Sequence, residues 1–193
     1  MKPLQAELDL ARSTVSAALQ VLADLHPNAI GFSYEATLPK EMKAESDHIL
    51  EDLILDSLYT TGLDILREEK GNIISGNPDE LRWVLDPLDG TVNFIRGLAP
   101  CSISLALCRG DVPVLGVIGE FPSGKLAWGG ISVDSCYSDQ PIRVSTVAEK
   151  QQAVICTGFP SRFVFDDNGK HWMTKTLAPF GKVRMFGAAS LTL

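Results

Sequence analysis

With 193 residues, 45% of them hydrophobic, the chain is long enough for one well-packed domain and the beginning of a second. Its formal net charge of −7 and its lack of any basic run argue against nucleic acid or anionic membrane as partners for the surface as a whole. No apolar run reaches the ~18 residues that a membrane-spanning helix needs. Cys101, Cys108, Cys136 and Cys156 form no Cys-x-x-Cys pair, and no secretory leader is visible, so reduced thiols in a soluble cytoplasmic protein are expected.

The first predicted element is a helix. Leu4, Leu8, Ala11, Val15, Ala18, Leu22 and Leu25 recur at alternating spacings of four and three, a one-sided apolar stripe. A coiled coil would show the same stripe, but it lasts only about three heptads and lacks paired flanking charges. Packing against the body of the chain is therefore expected, with Pro27, Asn28 and Gly31 ending the helix. Phe32 to Lys43 has no clear period and reads as a loop or a mobile hairpin. A second helix is predicted from Ala44 to Thr61, with Ile49, Leu50, Leu53, Ile54 and Leu58 inward and Gly62 placed to cap its end. Asp47 falls in its first turn, where a carboxylate favours the helix dipole. Leu63 to Glu69 reads as a short strand ending in two acids, Glu68 and Glu69, and Gly71 to Glu80 as a turn-rich connection.

The most informative stretch follows, Trp83 to Asn93. An apolar run, Trp83 to Leu85, meets Asp86; Pro87 fixes one φ angle and withholds a backbone donor. Asp89 comes three positions after Asp86, Gly90 permits unusual backbone angles, and Thr91 and Asn93 suit a helix start. Such a corner places oxygen ligands beside amide donors, a combination that holds a hard cation and a phosphate together. Asp-Gly between two apolar runs is equally a signal for a tight β-hairpin, and spacing alone leaves both open.

Cys101 to Leu107 alternates, with Ser102, Ser104 and Ala106 on one face and Ile103, Leu105 and Leu107 on the other. Turns at Arg109-Gly110-Asp111 and Pro122-Ser123-Gly124 link it to Val112 to Ile118 and to Lys125 to Gly129, which predicts an antiparallel meander closed by Ile142 to Ser145. Beyond Ala153 the pattern becomes strand, helix, strand, helix: a buried-type strand at Val154 to Gly158, a helix within Arg162 to Leu177, a strand at Val183 to Phe186 and a helix starting at Gly187 to Leu191. The expected division is a subdomain over 1–150 carrying the site and the start of a second, α/β subdomain over 151–193.

Asp86-Pro87-Leu88-Asp89-Gly90-Thr91 with Asn93-Phe94 resembles the central motif of the inositol monophosphatase family, the magnesium-dependent, lithium-sensitive phosphatases. The similarity runs from the first helix to Arg184-x-x-Gly187-Ala188-Ala189. It implies an α+β or α/β layered sandwich, α-β-α-β-α, with the antiparallel sheet first. It further implies that Glu68, Asp86 and the Leu88 carbonyl hold one Mg²⁺ (or Mn²⁺) and that Asp86 and Asp89 share a second. Thr91, oriented by Asp47, would relay a proton from an activated water. The Gly90 and Thr91 amides would hold phosphate, backbone near Ala188 would meet the sugar or inositol ring, and the region of Lys40 and Lys43 would be a flap. A homodimer is the family expectation. Two departures stand out. Arg67 occupies a position that is glycine in the family's Gly-Glu-Glu, so it should point away from the metals. The Trp-Asp-x-x-Ala-Gly motif of the family's later part does not occur, and the expectation is a piece of a longer enzyme rather than a natural short form. The implied activity is hydrolysis of a small phosphate monoester. The alternatives are an impaired relative acting as a binding or dimerisation module, and activity on a nucleotide 3′-phosphate or on fructose bisphosphate.

Overall fold

The computed structural model describes residues 4–29, 45–67, 71–72, 80–159 and 163–192. Two helices, α1 (Gln5–Ala29) and α2 (Glu45–Leu58), precede β1 (Asp64–Arg67), β2 (Gly71–Asn72) and β3 (Leu81–Asp89). The short α3 (Thr91–Ile95) leads to β4 (Cys101–Arg109), β5 (Val112–Phe121), β6 (Leu126–Gly130), β7 (Val133–Tyr137) and β8 (Gln140–Pro141). Then come β9 (Val154–Cys156), α4 (Asp167–Leu177) and β10 (Lys182–Arg184). Strands β1 to β8 form one sheet in the order β2-β1-β3-β4-β5-β6-β7-β8, and β9 and β10 pair in parallel as a second.

The layers follow from the apolar pattern. Leu4, just before α1, and Leu8, Ala11, Val15, Ala18 and Leu22 on it are all buried, as their spacing predicts. They lie on the sheet face that carries Ile103, Leu105 and Leu107. Gly119, the cross-strand partner of Ile103, makes the close approach possible: a Cβ there would sit 2.5 Å from Val15 Cγ1 and 2.8 Å from Leu19 Cδ1. On α2, Leu50, Ile54 and Leu58 are fully buried, and Gly62, left-handed at φ 66, ends the 3-10 turn that follows the helix.

Several expectations need correction. Helix α1 runs through Pro27 to Ala29, because a φ fixed near −65° is compatible with helix and only one donor is lost near the end. Ile49 is exposed and Leu55 takes the inward place. The sheet is mixed, since β1 pairs parallel to β3, and the connection between them is long enough for a crossover. The meander is closed by β7 and β8, while Ile142 to Ser145 is irregular. Strand β9 is not of the buried type, with Val154 exposed, and Gly187 to Leu191 forms turns instead of a helix. The 32–43 segment lies outside the described residues.

Candidate metal and phosphate site

Strand β3 does not end at Asp86. It continues through Pro87 and Leu88 to Asp89, and its register against β4 shifts on the way: Asp86 pairs with Ser104, and Asp89 with Ser102. Three steps on β3 thus oppose two on β4, a β-bulge placed where Pro87 has no N–H to give the ladder. The bulge has a chemical consequence. In a regular strand, residues three apart face opposite ways. Here the partners of Asp86 and Asp89 are two apart on β4, so both carboxylates share the sheet face of Ser102 and Ser104. That is the face opposite α1.

The residues before and after the bulge are anchored. Trp83, Leu85 and Leu88 are buried, and the Trp83 indole N–H donates to Thr61 Oγ1 at 3.3 Å. Gly90 stands at φ 89 and turns the chain into α3, in the left-handed region that disfavours side chains. A Cβ at Gly90 would lie 3.2 Å from the Cβ atoms of Ala188 and Cys101. The tight two-residue hairpin is thereby excluded: β3 and β4 are antiparallel neighbours, but α3 and a loop separate them.

The backbone of one residue, Leu88, ties the local groups together. The Leu88 N–H donates to Asp86 Oδ1 at 3.1 Å, and the Leu88 carbonyl accepts from Thr91 Oγ1 at 2.9 Å. Asp47, buried at the start of α2, lies with Oδ1 3.5 Å from the same threonine oxygen. The Thr91 proton therefore rests on the Leu88 carbonyl, with Asp47 within reach on rotation of the hydroxyl. Asp89 Oδ2 accepts from the Ser190 N–H at 2.6 Å and the Ser190 hydroxyl at 2.8 Å. Ala188 is buried against Gly90, and its carbonyl accepts from Thr192 Oγ1 at 2.6 Å. Beside the site, burial first and the Asp89 charge second push the Cys101 thiol from an ordinary 9.0 to about 12.

Glu68, Lys40 and Lys43 lie outside the described residues. Among the described residues no three His, Cys, Asp or Glu side chains gather as a metal-holding group. The donors present still fit a hard cation. They are all oxygen, the Leu88 carbonyl keeps a lone pair beyond its bond to Thr91, and no described residue donates to Asp89 Oδ1. Arg67 reaches to α2, where its guanidinium lies 3.2 Å from Glu51 Oε1. Sequence reasoning passed over Glu51, Ser190 and the anchoring role of Asn93. Glu51 was legible in retrospect: it lies four residues after Asp47 on the α2 face of Leu50 and Ile54, so both acids had to be buried.

The model of the inositol monophosphatase family matches residues 4–193. The chain belongs to the inositol monophosphatase family. An inositol-1-monophosphatase of Synechocystis sp. is 30% identical over 195 residues, covering 98% of this chain and 67% of that protein. A fructose-1,6-bisphosphatase/inositol-1-monophosphatase of Aquifex aeolicus is 28% identical, covering 84% of this chain. The chain spans 61% of the length of that Aquifex relative. In three dimensions the chain is similar to the extragenic suppressor protein suhB of Bartonella henselae, with a TM-score of 0.84 over 97% of this chain and 72% of that one, at 24% identity. The family's layered fold is thus present here.

Proposed function

We propose that this member of the family hydrolyses a small phosphate monoester, an inositol monophosphate or related sugar phosphate, with divalent cations held at the β3 bulge. The observation that supports this function is the linkage of Asp86 and Thr91 through the backbone N–H and C=O of one residue, Leu88, with Asp47 within reach of the Thr91 hydroxyl. Asp86, Asp89 and the Leu88 carbonyl, with Glu68, would hold Mg²⁺ or Mn²⁺, which supply Lewis-acid stabilisation of phosphoryl charge and acidify water when bound.

The remaining steps fall to the chain itself. Because Thr91 gives its proton to the Leu88 carbonyl, its lone pairs are available to accept a hydrogen bond from the attacking water. As that water loses its proton, the Thr91 hydroxyl turns toward Asp47, the general-base end of the pair. The Gly90 and Thr91 N–H groups belong to the cap and first turn of α3, where amides have no intrahelical acceptor, and would take phosphate oxygens during in-line displacement. Backbone near Ala188 would border the alcohol. The family's usual setting, a cytoplasmic homodimer, belongs to the same proposal.

Phosphate release from inositol 1-phosphate and from fructose 1,6-bisphosphate, with and without Mg²⁺, tests the activity and its substrate. The bisphosphate is included because the Aquifex relative carries both names. Activity confined to the Mg²⁺ arms and lost in Asp89→Ala is expected. Activity that survives Asp89→Ala would reject the site, and a chain that binds inositol phosphate without releasing phosphate would be a binding module.

A further inference from the structure

Ser190 touches Asp89 twice, and a third residue completes the arrangement. Ser190 Oγ lies 2.7 Å from Ser102 Oγ, and Ser102 is fully buried on β4. The direction of the hydrogen bonds follows from counting protons. An ionised carboxylate only accepts, so Ser190 gives its single hydroxyl proton to Asp89 Oδ2 at 2.8 Å. Between the two serines Ser102 must then be the donor. Ser102 is fully buried, and its hydroxyl lies within hydrogen-bond distance of Ser190, which gives the order Ser102 to Ser190 to Asp89. With the Ser190 N–H added at 2.6 Å, Oδ2 receives two hydrogen bonds, while no described residue donates to Oδ1.

We infer that Ser102 and Ser190 are positioning residues that reserve one oxygen of Asp89 for the protein and leave Oδ1 as the single oxygen it offers to a divalent cation. The inference rests on the proposed function and deepens it. A carboxylate fixed at one oxygen cannot rotate to chelate, so Asp89 is a one-oxygen ligand whose aim is set from 101 residues away. Ser102 contributes by holding the Ser190 hydroxyl in its donating rotamer. The site's ligand geometry is thereby tied to the docking of the segment after β10 onto β3 and β4.

Mn²⁺ binding to the full 193-residue chain, followed by the loss of the free-ion EPR signal well below the melting temperature, tests the inference in wild type, Ser190→Ala, Ser190→Thr and Ser102→Ala, with thermal melts of each. Ser190→Ala should bind Mn²⁺ roughly tenfold more weakly. Ser102→Ala should show a smaller loss, and Ser190→Thr, which keeps the hydroxyl, should stay near wild type. An unchanged affinity in Ser190→Ala, or equal losses in the alanine and threonine variants, would overturn the positioning role even if the melting temperatures fall. Wild-type affinity in Ser102→Ala would overturn the relay. A wild-type chain that binds no Mn²⁺ would instead remove the metal-dependent function itself, and the inference with it.

Discussion

Asn93 holds Phe186 in place across the molecule: its Nδ2 donates to the Phe186 carbonyl at 2.7 Å and, with its other proton, to the Pro100 carbonyl at 2.7 Å. One amide thus joins α3 to the loop before β4 and to the segment after β10. Gly187 follows at φ 74, and a Cβ there would lie 3.0 Å from Asn93 Oδ1, so the approach needs glycine. Asn93→Ala should destabilise the protein by about 1–3 kcal/mol, the cost of two carbonyls left without their donor. Asn93→Asp should cost more, because it sets a carboxylate against both carbonyls. Urea unfolding measures both, and hydrogen exchange should quicken over residues 186–192 in each variant. An Asn93→Asp protein as stable as wild type would contradict the clamp.

Arg67 and Glu51 form a buried ion pair, with side chains 14% and 1% exposed. Among the described residues Glu51 Oε2 and Arg67 Nε have no hydrogen-bond partner, so within that set each charge depends on the other. Arg67→Gly restores the glycine of the family motif yet should destabilise this chain by about 3–5 kcal/mol, since it strands the Glu51 carboxylate in the interior. Adding Glu51→Gln should recover much of the loss. Chemical denaturation of the two single variants and the double variant reads the coupling directly; additive losses would show the pair to be inert.

Cys101 gives the protein a pH dependence of definite sign. Its thiol titrates at an ordinary 9.0 in the unfolded chain and at about 12 in the folded one, chiefly through burial. Between these values the folded state binds more protons than the unfolded state, so stability falls as pH rises, by up to about 1.4 kcal/mol per pH unit. Below pH 9 the thiol contributes no slope. Cys101→Ala should remove this component from a series of denaturation curves, and the native protein at pH 8 should leave Cys101 unalkylated until it unfolds.

The parts of the fold written in local pattern were legible in the sequence. The α1 stripe, the alternation of Cys101 to Leu107 and the chain turns at Gly110 and Gly124 all follow from side-chain period and backbone freedom. The Asp-Pro-Leu-Asp-Gly-Thr motif located the corner but not its shape. A proline usually signals the end of a strand, and here it marks a bulge that keeps the strand going and brings Asp86 and Asp89 to one face. Long-range contacts were invisible for the same physical reason. Gly187 to Leu191 has residues that suit a helix, yet it forms turns, with Asn93 holding the Phe186 carbonyl just before it and Asp89 holding the Ser190 N–H within it. Nothing local marks Ser190 as the partner of an acid on β3.

The central claim is that the acids and carbonyl of the β3 bulge hold divalent cations that drive phosphate ester hydrolysis, and Mg²⁺-dependent phosphate release by wild type and Asp86→Asn tests it most directly. Asp86→Asn keeps the acceptor for the Leu88 N–H while removing the charge, so the fold should persist. Release that rises and saturates with Mg²⁺ in wild type, and falls by at least about a hundredfold in Asp86→Asn, is expected. Release indifferent to Mg²⁺, or undiminished in a folded Asp86→Asn protein, would contradict the account.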